Sequence, residues 1–135
     1  MSSTSISPVK VIIFAKRKEG TTKEQFSEYW RGPHAELFLA LPVVKKRCIK
    51  YEQFHEGIDD RATVENALSY PQSGWDGVAF VTFDSSEGTA EVFNDPAFKE
   101  LASTDSPKFL ASPDVSQYML VVGNPEVRYS AEGTQ

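Results

Sequence analysis

Cys48 is the single cysteine of this chain. One thiol excludes an internal disulfide and a zinc cluster built on cysteines. A lone cysteine usually packs as a small hydrophobe. Histidine is almost as scarce, with His34 and His55 the only two. No His-x-x-x-His and no clustered carboxylates accompany them, so no usual metal-ligand pattern is met. Positive charge is in deficit as well: 14 Lys and Arg stand against 19 Asp and Glu, a formal net charge of -5. That balance argues against nucleic acid or an anionic membrane as partner. No apolar run approaches the ~20 residues of a membrane span. The opening MSSTSISPVK lacks the apolar core of a secretory signal, so the cytoplasm is the expected location. No glycine-rich nucleotide fingerprint follows the first strand, and no Gly-x-Ser-x-Gly elbow occurs.

What is present reads as one domain over 1–135. A chain of 135 residues with 40% hydrophobic content buries roughly two-thirds of its unfolded surface. Residues 8–16 (PVKVIIFAK) form a β-branched apolar run, a strand. Thr21 and Glu24 match a capping box, opening a helix. Phe26, Trp30, His34, Leu37 and Leu41 then recur at one-face helical spacing. Residues 47–55 (RCIKYEQFH) alternate, with Arg47, Ile49, Tyr51, Gln53 and His55 on one face of a second strand. Residues 57–74 are polar and irregular; a loop of this length in a small domain is often a functional lid. A third strand is expected at 76–83, a helix at 86–101, a short turn at 108–110 and a fourth strand at 117–122, with a polar tail after Pro125.

The order is β-α-β, loop, β-α-β. That is the α+β, ferredoxin-like βαββαβ arrangement, an antiparallel sheet with both helices on one face. A weak repeat supports it: Trp30-Arg-Gly-Pro-His-Ala parallels Phe93-Asn-Asp-Pro-Ala-Phe, so Pro33 and Pro96 kink or restart the two helices at matching places. His34 falls opposite Ala97, so the architecture by itself does not require an imidazole there. Strands 1, 3 and 4 are apolar on both faces, while helices cover one. A second layer is therefore expected, most simply a second copy of the chain, closing a dimeric α/β barrel.

Four segments carry a family resemblance: FAKRKEG, EQFSEYWRGPHAELF, YEQFH, and WDGVAFVTFDS with FNDPAFKEL. Over roughly residues 8–125 the chain resembles EthD-domain proteins of the dimeric α/β-barrel superfamily. It is most similar to the short members of fungal aromatic polyketide clusters, which include decarboxylases of anthrone-type acids such as atrochrysone carboxylic acid. The resemblance implies a homodimer acting on a small aromatic polyketide, with neither cofactor nor metal. The implied chemistry is decarboxylation, with dehydration or aldol cyclisation as rivals. A ligand-binding or redox accessory protein is the non-enzymatic alternative. Haem is the cofactor that some relatives of the fold bring into view, with His34 or His55 as axial ligand.

The expected catalytic residues are His34, His55 and Tyr51. Histidine titrates near working pH and suits proton transfer, and a tyrosine hydroxyl suits an oxyanion. Tyr29, Trp30, Lys16 and Gln53 are the expected substrate-binding residues. Lys16 and Arg47 are also the cations available to a substrate carboxylate, and Asp76 is expected to cap a turn.

Overall fold

The computed structural model describes residues 7–55, 74–111 and 119–132. The excursion read at 57–74 therefore lies, but for its last residue, outside the described residues. Among them, four strands form one sheet: β1 (Val9–Ala15), β2 (Cys48–His55), β3 (Gly77–Phe83) and β4 (Met119–Gly123). Their order is β2-β3-β1-β4, with every neighbouring pair antiparallel. This is the expected ferredoxin-like topology.

Alternation along the strands decides what each face carries. In β3 every second residue from Gly77 to Phe83 is buried. In register with them, Val11 faces Val81 and Ile13 faces Ala79. Helices cover this face. On the other face Ile12, Phe14, Val78 and Phe80 are partly covered, while Phe54 and Val121 stand 62% and 52% exposed. A bulge between Cys48 and Lys50 corrects the β2 reading. It leaves Ile49 exposed and brings Tyr51, Gln53 and His55 onto the covered face.

The first helical stretch begins one residue later than its sequence suggests. Thr21 closes the preceding turn, its hydroxyl donating to the Lys18 carbonyl, and Gly20 in that turn takes φ 88°, a conformation that favours glycine. Thr22 therefore caps α1 (Lys23–Tyr29), with Gln25 reaching back to complete the box. A π-helical turn over Trp30–His34 follows, then α2 (Ala35–Ala40) and α3 (Pro42–Arg47). The π turn has a packing reason. The inward residues are Phe26, Trp30, His34 and Phe38, spaced by four throughout. In an α-helix each four-residue step drifts ~40° around the axis. A wider turn absorbs that drift, and so Phe38 is buried while Leu37, expected inside, is 44% exposed.

The second half departs from the expected symmetry. Where one helix over 86–101 was anticipated, the chain forms α4 (Ser86–Asn94) and α5 (Pro96–Thr104). Asp95 between them is extended, and its side chain accepts from the Ala97 and Phe98 amides. Pro96 thus occupies the first turn, where its missing N–H costs nothing. Pro33, by contrast, sits inside a continuous helical path. The two prolines share a sequence position but not a mechanism.

After α5 a 3-10 turn, Ser106–Lys108, leads to a bridge between Leu110 and Arg17. The Lys18 amide donates to the Phe109 carbonyl at 2.8 Å and the Ala111 amide to the Lys16 carbonyl at 3.0 Å. These bonds fix the segment carrying Asp105 and Phe109 to the end of β1.

Two apolar clusters fill the covered side. One gathers Val11, Phe38, Val44, Val81, Phe83 and Val92; the other gathers Ala15, Phe26, Trp30, Ala79 and Phe109. Gly77 belongs to the second neighbourhood: a Cβ there would lie 2.5 Å from the Trp30 ring. The glycine lets that indole rest directly on the sheet.

Candidate active site

A cavity of about 250 Å³ lies where the two clusters meet. Its wall is nearly all apolar, with Ile13, Phe38, Phe93 and Phe109 among the lining residues. The polar side chains that reach it are His34, Tyr51, Trp30 and Ser106. No Lys, Arg, Asp or Glu is among the described lining residues.

His34 comes from the end of the π turn. Its Nδ1 lies 2.7 Å from Oδ2 of Asp105. The Tyr29 hydroxyl donates to the other oxygen, Oδ1, and Lys108 Nζ is 3.9 Å from it. With Tyr29 donating to Oδ1, Oδ2 is left to accept, so His34 donates through Nδ1–H. The lone pair of the neutral ring then sits on Nε2, which has no partner among the described residues. Burial pushes the His34 pKa below its ordinary value, and Asp105 opposes that shift without reversing it. At neutral pH the residue is an unprotonated base backed by an anion that would stabilise its charged form.

Asp105 is 2% exposed, and a charge so buried requires partners. It ends α5, where the helix dipole disfavours an anion. Neither capping nor the dipole accounts for it; His34 and Tyr29 do. Sequence reasoning missed this residue. Asp-Ser-Pro reads as an ordinary turn, and a separation of 71 positions between Asp105 and His34 carries no spacing signal. Tyr29, expected to bind substrate, is instead a buttress: burial and the Asp105 carboxylate raise its pKa to about 12.

Tyr51 stands on the covered face of β2, and burial raises its pKa while the Gln53 amide and the neighbouring Trp30 side chain oppose that. Gln53 Nε2 lies 2.8 Å from both the Tyr51 oxygen and the Trp30 carbonyl. His55 sits one step further out, between Ser27 Oγ at 2.9 Å and Gln53 Oε1 at 2.8 Å. Burial lowers the His55 pKa, and Arg31 lowers it further. His55 does not line the cavity, and with both nitrogens engaged it offers no lone pair to a haem iron.

Lys16 and Arg47 are not brought to the cavity. Lys16 extends from the uncovered side of β1 over the Trp75 ring, 5.0 Å from its centre. Arg47 pairs with Asp84 at 3.1 Å and Glu91 at 2.8 Å, which raises its pKa and lowers that of Glu91; against burial, the Ser85 hydroxyl and then Arg47 lower that of Asp84. Asp76 accepts from the Arg17 amide and guanidinium, tying the start of β3 to the end of β1. Cys48 is half-buried and its thiol pKa is raised by burial, as befits a packing residue. Among the described residues no helix is long and apolar enough to cross a membrane.

The fold and this site define an α+β protein of the ferredoxin-like class. Its relatives make the class specific. The chain belongs to the EthD domain family, whose model matches residues 18–113. It is similar in structure to an ethyl tert-butyl ether D family protein of Bacillus halodurans, at 17% identity and a TM-score of 0.57, covering 89% of this chain and 100% of that one. It is also similar to a DABB family protein of Mesorhizobium loti, described as having a ferredoxin-like fold, at 7% identity and a TM-score of 0.60 over 89% and 98% of the two chains. A ferredoxin-like protein of unknown function from Bacteroides fragilis, described as dimeric, aligns at 15% identity and a TM-score of 0.56 over 88% and 98%. No curated protein matches the sequence.

Proposed function

We propose that the protein is a cofactor-free lyase that decarboxylates an aromatic polyketide acid of the anthrone type. The observation that carries this reading is the pairing of His34, its Nδ1 held by buried Asp105, with the Tyr51 hydroxyl in one apolar cavity. Such an acid bears its carboxyl two atoms from a carbonyl. His34 Nε2 takes the carboxyl proton, and Asp105 stabilises the imidazolium formed. The carbon–carbon bond breaks, carbon dioxide leaves, and the electron pair moves to the carbonyl oxygen as an enolate. Tyr51 donates to that oxygen. His34 then returns its proton to the ring carbon, so none is gained or lost overall. A wall that is apolar and without a cation among the described residues leaves the carboxylate poorly solvated, which favours its loss.

The same base and donor also suit removal of a proton beside a carbonyl, the first step of dehydration or aldol cyclisation. Incubating the purified protein with a panel of anthrone-type acids, with product masses read out, separates the readings. Loss of carbon dioxide supports the proposal, loss of water supports the rival, and unchanged substrates overturn both in favour of a binding role.

The working unit we propose is a homodimer joined through the uncovered sheet face. That face is apolar at Ile12, Phe14, Val78 and Phe80, with Phe54 and Val121 exposed beside it. The dimeric description of the Bacteroides fragilis protein supports it.

A further inference from the structure

We propose that His55 and Gln53 act on Tyr51 and not on a ligand: with Ser27 they form a one-way chain of hydrogen bonds that aims the Tyr51 hydroxyl proton into the cavity. The direction follows from one group that has no choice. The Trp30 carbonyl can only accept, so the Gln53 atom 2.8 Å away is the amide nitrogen. Gln53 Oε1 therefore faces His55 Nε2 at 2.8 Å. An amide oxygen can only accept, so Nε2 carries the proton. In the neutral ring Nδ1 is then the lone pair, and it accepts from the Ser27 hydroxyl at 2.9 Å.

At the inner end the second N–H of Gln53 reaches the Tyr51 oxygen, again at 2.8 Å. That N–H holds the lone-pair side of the hydroxyl, so the proton turns away from Gln53. The hydroxyl proton meets no acceptor among the described residues, and Tyr51 lines the cavity. The hydroxyl is thus fixed as a donor toward whatever oxygen lies within. His55 and Gln53 are positioning residues. An amide between them and the cavity cannot pass a proton onward, so His55 is not an acid–base group for the ligand.

The inference rests on the reading of the cavity as a site for an aromatic enolate, but not on which bond breaks. It is tested on the full-length protein with 4-nitrophenolate, whose visible absorption band moves when a donor engages its oxygen. Wild type should bind the anion and shift the band, and Tyr51→Phe should abolish the shift. Gln53→Leu and His55→Phe, the latter keeping a ring against Trp30, should lose most of the shift. Their binding should weaken about tenfold, the worth of one hydrogen bond to a charged group. His55→Gln returns an N–H near the place of Nε2 and should recover affinity to within about twofold. If Gln53→Leu does not fold, the two His55 variants carry the test. A shift that depends on Tyr51 yet is unchanged in Gln53→Leu and His55→Phe overturns the inference alone. Equal weakening in both His55 variants also overturns it. A wild-type protein that leaves the band where buffer leaves it overturns both the inference and the enolate reading beneath it.

Discussion

At the scale of the residue, Asp105 governs how His34 should be tested. Removing the whole ring by His34→Ala would leave a nearly buried carboxylate short of a donor, which costs about 1–3 kcal/mol. That loss would confuse catalysis with stability. His34→Asn is the cleaner variant, because an amide nitrogen can take the place of Nδ1 while Nε2 disappears. It should keep the melting temperature within a few degrees and lower turnover by ~10²- to 10⁴-fold. Asp105→Asn should lower turnover by at least ~10²-fold, since an amide neither stabilises the imidazolium nor fixes the tautomer.

The pH dependence follows from the same pair. The folded pKa of His34 lies below its unfolded value of ~6.5. Above pH ~6.5 both states carry a neutral ring and stability is complete. As pH falls from ~6.5 toward the folded pKa, the unfolded chain binds a proton that the native one does not, and stability is lost. His55 is shifted in the same direction. Denaturant melts at stepped pH should show this slope, shallower in His34→Asn and not abolished. Turnover should persist below pH 6.5 and fall only near the folded pKa of His34.

The candidate site was legible only in part. His34 stood out because an imidazole sat on an apolar helix face, and Tyr51 because its strand face also carried Gln53 and His55. Asp105 did not, because its partner arrives through tertiary packing. Lys16 and Arg47 attracted attention as cations, yet an alternating strand placed Lys16 on the far face and the acids of α4 and its cap loop engaged Arg47.

At the scale of the element, the strands were readable because β-branched runs with turn signals leave few alternatives, and their order followed from their sequence. The helices were read correctly in existence and less well in phase. A strict α period put Leu37 inside, whereas the π turn places Phe38 there. The structure makes this turn a requirement of the site, since it brings His34 to Asp105 while Phe26 and Trp30 stay packed. Inserting one alanine after Gly32 turns everything beyond it by ~100° about the helix axis. The variant should keep the sheet, by circular dichroism, and lose turnover to the level of His34→Asn. An insertion variant with wild-type turnover would show that the phase of this helix is immaterial.

At the scale of the whole molecule, the sheet has one covered and one uncovered face, and the sequence showed this as strands apolar on both sides. The alternation now separates two substitutions that sequence alone could not. Val81 is inside, 3% exposed and part of the cavity wall, so Val81→Glu should prevent folding. Phe80 is outside, under Lys10. Phe80→Glu should leave the fold intact and shift the mass in light scattering from twice the 15.0 kDa chain to a single chain. If Phe80→Glu remains at the doubled mass, the copies do not meet through this face.

Gly77 shows how far an atom that is missing can act. It pairs with His55 across the sheet, and the absence of its Cβ sets how close Trp30 approaches. That closeness sets the indole against the His55 ring, centroids 4.8 Å apart, at the outer end of the chain that reaches Tyr51, so Gly77 works as a gauge block between backbone and chemistry. A methyl there would lift the ring and detune the hydroxyl with every polar group still in place. Gly77→Ala should destabilise by about 1–3 kcal/mol, as overpacked cores do. In the fraction that remains folded, catalysis should fall as though Tyr51 itself had been touched.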